Sequence, residues 1–278
     1  MRTVTWCWRR LILPGQEDFW IKRLQDAGYS SWILTEKPGR SRWVLALYSP
    51  SRSVVASLLQ KFGGRIQSLS TTAWLKPPVS KPIRIGNRLR IIHGEGQRKK
   101  EPAVPQLHIP HGVAFGSGEH ATTLMLLRAL VHQENWNETT VLDLGTGSGI
   151  LALTARLLGA RKIVATDFDP DAVRTARQNE TLNFPAPLVR CRCADVKRLK
   201  PAVKYKLVVA NLFSGILCDA ASSIAGCVQA GGQLWLSGIL RSQQDEVVVA
   251  YLGQGMKLAR VVSRGKWVMI QLEKSNPS

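Results

Sequence analysis

Acidic residues are scarce in this 278-residue chain: 19 Asp and Glu stand against 38 Lys and Arg, for a net charge of +19. That excess goes beyond what solubility asks of a chain this size and points to an anionic partner, most often nucleic acid. Cysteine is sparse too. The five present, Cys7, Cys191, Cys193, Cys218 and Cys227, are odd in number and form no C-x-x-C pair. They therefore suggest neither a disulfide framework nor a zinc site, and they fit a reducing compartment. No apolar run approaches the roughly 18 residues of a membrane helix, and Leu11-Ile12-Leu13 is too short for a signal-peptide core, so a cytoplasmic protein without a membrane partner is expected. With 45% hydrophobic residues, disorder is excluded and there is enough apolar material for two domains.

The charge is uneven. Residues 1–100 hold 19 basic and 5 acidic side chains, a net +14, whereas residues 101–278 hold 19 and 14, a net +5. The same first hundred residues carry six of the nine tryptophans, Trp6, Trp8, Trp20, Trp32, Trp43 and Trp74. Two readings stand side by side: a surface that contacts RNA phosphates and stacks on bases, or a small core filled by Trp under a solvated basic shell, since several of these Trp fall at strand spacing.

Periodicity divides the chain. Residues 3–13 alternate like a strand, 16–27 place Phe19, Trp20, Leu24 and Ala27 on one helical face, 31–34 and 42–48 read as strands, 51–62 as a helix closed by Gly63-Gly64, and 65–75 as a last strand. This β-α-β-β-α-β order predicts a ferredoxin-like α+β domain over residues 1–75. Residues 76–110, rich in Pro and basic side chains, read as a linker with one hairpin, in which Ile83, Ile85, Leu89 and Ile91 alternate around a two-residue Gly86-Asn87 turn. From 111 to 278, helix and strand periods take turns: helices at 120–131, 148–158, 170–183, 214–228 and 241–252, strands at 140–144, 162–167, 187–193, 206–211, 232–238, 256–263 and 266–273. Such alternation predicts an α/β domain, a mostly parallel seven-stranded sheet covered by helices on both faces.

The strongest local signal is Val141-Leu142-Asp143-Leu144-Gly145-Thr146-Gly147-Ser148-Gly149-Ile150-Leu151, a buried strand entering a glycine-rich turn and then a helix. Glycines there let backbone approach a ligand closely. The dinucleotide pattern G-x-G-x-x-G requires Gly where Ile150 stands. Asp167 ends the next strand, 22 residues beyond Gly145, where a carboxylate can accept both hydroxyls of a ribose. Asp169, immediately before Pro170, reads as a helix cap. Asp195 follows the third strand and is either an adenine contact or a turn residue.

G-x-G-x-G after an acidic residue resembles the first motif of the class I, Rossmann-like methyltransferases that bind S-adenosylmethionine. Asn211, closing the fourth strand, stands where many nitrogen methyltransferases place an Asn or Asp before two prolines; here Leu212 and Phe213 follow instead. Ahead of the glycine turn, Ala114-Phe115-Gly116-Ser117-Gly118-Glu119-His120-Ala121-Thr122-Thr123 resembles the lid of the family that methylates the eleventh protein of the bacterial large ribosomal subunit, A-F-G-T-G-T-H-x-T-T, with Ser117, Glu119 and Ala121 replacing Thr, Thr and Pro. The resemblance continues in Asp167-Phe168-Asp169-Pro170, Ala210-Asn211-Leu212, Gly231-Gly232 with Leu236-Ser237-Gly238-Ile239-Leu240, and Gly265-Lys266-Trp267-Val268, and it covers about residues 74–273.

It implies a monomeric S-adenosylmethionine-dependent methyltransferase of ribosomal protein amino groups, with an N-terminal domain that recognises the protein substrate. By resemblance, Thr123, Gly145, Asp167 and Asn211 contact S-adenosylmethionine or frame the target amine; Gly147 is counted with the cofactor-binding residues, and Asn211, with the Leu212 carbonyl, is also the candidate catalytic acceptor for the target amine.

Because ribosomal proteins are themselves basic, the +14 segment implies ribosomal RNA between enzyme and target. His108, His111 and His120 have no carboxylate at ligand spacing and methyl transfer requires no metal, so none is expected. Methylation of RNA or a small molecule on the same fold, and a binding protein without turnover, are the alternatives left open.

Overall fold

The computed structural model describes residues 4–13, 15–29, 33–35, 42–49, 51–70, 81–94, 104–111, 116–199 and 203–276. The chain divides into two compact units, residues 1–78 and 79–278. No helix among the described residues is long and apolar enough to cross a membrane.

In the first unit, β1 (Val4–Ile12), α1 (Glu17–Asp26), β2 (Ile33–Thr35), β3 (Trp43–Ser49), α2 (Arg52–Phe62) and β4 (Arg65–Ser70) follow one another in the expected order. The antiparallel sheet runs β2-β3-β1-β4, so the two β-α-β halves interleave. Period-2 alternation decides the faces. Trp8, Ile12, Leu45 and Leu47 join Trp20, Leu24, Leu58 and Phe62 in one buried cluster, with Trp6 and Trp43 packed at its edge. The Trp8 indole N–H donates to the Gly63 carbonyl at 2.7 Å. Arg10 lies over the Trp20 ring, 4.1 Å from its centroid, and donates to the Phe62 carbonyl. Of the two readings of the tryptophans, these four follow the core; Trp32 and Trp74 lie outside the described residues. The opposite strand positions bear Arg9, Leu11, Val44, Tyr48, Arg65 and Gln67 around a groove of about 820 Å³.

The second unit opens with β5 (Ile83–Ile85), β6 (Leu89–Ile92) and β7 (Gln106–His108), a small sheet in which β6 and β7 are parallel. The stretch read as a linker is thus partly core: Ile85, Leu89, Ile91, Leu107 and Ile109 are buried in the same cluster as the helices described next. The hairpin loop is three residues, Gly86-Asn87-Arg88, because Ile85 pairs with Leu89. A two-residue turn would pair Ile85 with Arg88 and send the apolar set to the wrong face.

The large sheet contains β8 (Thr140–Leu144), β9 (Lys162–Asp167), β10 (Val189–Cys193), β11 (Tyr205–Asn211), β12 (Val228–Leu240), β13 (Met256–Arg264) and β14 (Trp267–Lys274), ordered β10-β9-β8-β11-β12-β14-β13. Only β14 runs opposite to the other six strands. Helices α3 (Ala121–His132), α4 (Ile150–Leu157) and α5 (Pro170–Asn183) cover one face, packing on Val141, Ile163 and Val209. Helices α6 (Ser214–Asp219), α7 (Ala221–Gly226) and α8 (Gln244–Leu252) cover the other, packing on Leu142, Leu144 and Val208. The single helix expected at 214–228 is two short ones, broken at Ala220 (φ −99°, ψ 9°). Strand order reverses between β8 and β11, which opens a crevice beyond their carboxyl ends, the usual ligand position in such sheets.

If the 81–94 hairpin is core, Ile91→Ala should lower the unfolding free energy of the second unit by about 2–5 kcal/mol, as a buried truncation does. Chemical denaturation followed by intrinsic fluorescence checks this; a change within about 0.5 kcal/mol, typical of a surface position, would return the segment to linker status.

Candidate active site

Strand β8 delivers the chain into the turn Gly145–Gly149. The amides of Gly145 and Thr146 both donate to the Thr166 carbonyl, at 2.8 and 2.9 Å, which ties the turn to the end of β9. Gly145 has φ +71°, and a Cβ there would lie 2.4 Å from Leu212 Cδ2, so both backbone conformation and space require glycine. The same holds at Gly149, where a Cβ would meet the Ala176 Cβ at 3.0 Å; its absence lets α4 start hard against α5.

Asp167 is held from both sides: Oδ2 accepts the Gly147 amide at 2.9 Å and Oδ1 accepts the Asp169 amide at 3.1 Å. One bond per oxygen leaves acceptor capacity on each. The carboxylate lines a cleft of about 160 Å³ together with Gly145, Thr166, Phe168, Asp195 and Leu212. Phe168, 76% exposed, stands among these lining residues. Asp169 caps α5 as expected, accepting the Asp171 amide at 2.8 Å ahead of Pro170. Asp195 is a turn residue: it caps the short helical turn 196–198, with Oδ1 accepting the Lys197 amide at 2.9 Å, and it also stands among the residues lining the cleft.

At the end of β11, the Asn211 amide nitrogen donates to Thr123 Oγ1 at 3.2 Å. Residues 88 positions apart are thereby brought into contact. Thr123 is buried in the first turn of α3, and the neighbouring Thr122 carbonyl accepts from the buried Ser237 hydroxyl at 3.3 Å. Ser237 thus joins α3 to β12. The Leu212 carbonyl lies against Gly238, where an added Cβ would sit 2.4 Å from the oxygen. Gly145, Gly147 and Asp167 form one cluster, Thr123 and Asn211 another, and Leu212 packed on Gly145 joins them.

The lid is described from Gly116 onward. Ser148 Oγ donates to the Gly116 carbonyl at 2.6 Å, so the lid is fastened to the glycine turn. His120 caps α3 and meets the Trp267 ring edge-on at 4.9 Å between centroids, which gives the terminal Gly265-Lys266-Trp267-Val268 segment its place beside the lid.

One residue was not singled out beforehand. Asp143, in the middle of β8, is fully buried. Oδ2 accepts the Thr146 hydroxyl at 2.6 Å and the Ala152 amide at 3.3 Å, while Oδ1 has no partner among the described residues. Burial pushes its pKa up to about 7, against the lowering effect of those hydrogen bonds. Its signal was the acid two positions before the first glycine.

Comparison with known proteins bears directly on this geometry. The family model described as Ribosomal protein L11 methyltransferase (PrmA) matches residues 51–275. The chain belongs to the ribosomal protein L11 methyltransferase family. A family member from Pseudomonas fluorescens is 40% identical over 195 residues, covering 68% of this chain and 63% of that protein. Another, from Azotobacter vinelandii, is 42% identical over 191 residues, with the same coverage. The matched stretch thus spans less than two thirds of these relatives' length. A crystal structure of ribosomal protein L11 methylase from Lactobacillus delbrueckii superimposes with a TM-score of 0.64 at 26% identity, covering 71% of this chain and all of that one. The fold is that of the class I methyltransferases, a mostly parallel seven-stranded sheet flanked by helices.

The raised Asp143 pKa has a definite sign. Between about pH 4, the ordinary carboxyl range, and about pH 7, the folded chain holds a proton that the unfolded chain has released. The resulting stability is fully present below about pH 4 and is lost as pH rises through about 7. The stability of wild type relative to Asp143→Asn should therefore fall by a few kcal/mol, of the order set by 1.36 kcal/mol per pKa unit, across that window and be flat above it. Denaturation at a series of pH values measures the difference; a pH-independent difference would remove the assignment.

Proposed function

We propose that this chain transfers methyl groups from S-adenosylmethionine to amino groups, lysine side chains or the N-terminus, of the eleventh large-subunit ribosomal protein. The observation that carries this reading is the convergence of Thr123, Gly145, Gly147, Asp167 and Asn211 at the strand-order reversal in a chain of this family. The residues fit the cofactor: the cleft has an acidic wall at Asp167 suited to ribose hydroxyls, and beside it Gly145 leaves the backbone bare where a side chain would block close approach. When bound, S-adenosylmethionine supplies a methyl group on a sulfonium.

The chain's own residues do the rest by positioning. An ammonium of pKa about 10.4 must lose its proton before it can attack. Asn211 gives one of its two N–H groups to Thr123 and keeps its carbonyl oxygen as an acceptor, so it can orient an amine N–H without itself titrating.

The first unit supports ribosomal RNA as an additional contact. Arg9 pairs directly across the sheet with Arg65, and both line the open groove with Tyr48. Like charges placed opposite one another are destabilising unless an anion joins them, and a phosphate backbone is such an anion.

Asp167→Ala should weaken S-adenosylmethionine binding at least about ten-fold by calorimetry, the scale of one lost charged hydrogen-bond partner, whereas Asn211→Ala should leave that affinity nearly intact and lower turnover on isolated ribosomal protein about 100-fold through misplaced amine. Methylation of RNA in place of protein by the wild-type chain would overturn the substrate. For the RNA contact, affinity should fall steeply with salt, with a shallower slope in Arg9→Ala and Arg65→Ala; affinity indifferent to salt would refute it.

A further inference from the structure

Three side chains outside the crevice form a cluster that the methyl-transfer chemistry does not use. His93 follows β6, His111 lies three residues past the end of β7, and Glu119 stands two residues before α3. Their ligand-type atoms all lie within 4.8 Å of one another. They are 18 and 8 residues apart in the chain, and the parallel pairing of β6 with β7 is what brings the two histidines together. The rings stack at 4.3 Å between centroids, 24° from parallel.

We infer that these three residues bind a divalent transition-metal ion of the zinc class, joining the small sheet to the lid at the start of α3. The chemistry of the donors fits. Two imidazoles and one carboxylate are a common three-ligand zinc set, which leaves a fourth position for water. Imidazole selects zinc-like ions over calcium or magnesium. His93 is buried and its Nδ1 lies 2.8 Å from the Ile109 carbonyl. A carbonyl can only accept, so Nδ1 carries the proton and Nε2 keeps its lone pair. Metal-ligating histidines are oriented in this way.

A tetrahedral ion with ligands at about 2.1 Å holds them roughly 3.4 Å apart. The buried ring is the fixed member, while the half-buried His111 and exposed Glu119 have the freedom to close the remaining gap. Glu119 also supplies the negative charge that a cation needs in a basic chain, and it stands where the related lid segment has Thr. Glu119 is followed by His120, the cap of α3, and by Thr123, which holds Asn211. An ion here would anchor the start of the helix that positions Asn211.

The test uses the full chain, freed of metal with a chelator and titrated with Zn²⁺, and with Co²⁺ as a visible probe. One ion per chain is expected, with the Co²⁺ bands of a low-coordinate nitrogen and oxygen site, and a Zn²⁺-dependent rise in melting temperature. Because His93 is buried and its replacement could unfold the unit, the deciding variants are the accessible Glu119→Gln and His111→Asn. Each should keep the wild-type circular dichroism and lose affinity about ten-fold or more, at least the scale of a lost outer-shell partner. Absence of saturable binding to wild type would overturn the inference. So would unchanged affinity in both variants, or thiolate-to-cobalt bands, which would place the ion on cysteine.

Discussion

The contact between Gly145 and Leu212 sets the dimensions of the crevice. With a Cβ position only 2.4 Å from the Leu212 side chain, the turn after β8 and the end of β11 are as close as two backbones flanking a leucine can be. Leu212 is confined on its other side by Gly238, which touches its carbonyl, so one residue is gripped by two glycines from two different strand ends. Asn211 is its chain neighbour and inherits that position. A larger residue at either glycine would move the amide relative to Asp167, and cleft and acceptor would no longer address the same point in space.

Around that contact the polar groups are arranged with unequal satisfaction. Glu180 is buried and heavily engaged through one oxygen: Oε1 accepts the Leu188 and Val189 amides at 2.8 and 2.9 Å and pairs with Arg156, fixing the entry to β10. Asp143 is buried and its Oδ1 has no partner among the described residues. A half-satisfied carboxylate in the middle of a sheet is a standing cost to the fold, and burial answers it by favouring the protonated form.

Much of the second unit was legible from period and caps alone. Strands 140–144 and 162–167 and helix 170–183 carry continuous apolar runs or the Asp169-Pro170 entry, and the structure has them at those residues. The 81–94 segment was misread because its outward positions, Arg84, Arg88 and Arg90, and the prolines before it look like linker, while its inward positions are four aliphatics whose partners lie dozens of residues ahead. Charge composition likewise concealed the fate of the tryptophans, since a Trp beside an Arg can stack on a base or lie beneath that Arg. Asp143 was visible but absorbed into its motif. The proximity of Glu119 to His93, by contrast, arises from tertiary pairing that no spacing encodes.

Arg10 carries a further consequence. Its guanidinium lies over Trp20 and donates to the carbonyl that ends α2, and Arg156 in the second unit lies over Phe184, 3.9 Å from its centroid, while pairing with Glu180. Both function as flat, five-donor struts within the architecture, a task for which lysine's single ammonium has the wrong shape. Formal charge therefore overstates the potential offered to solvent. Arginine content in this chain records two separate demands, mechanical and electrostatic, and replacing arginine with lysine would preserve the charge count while dismantling the first of them.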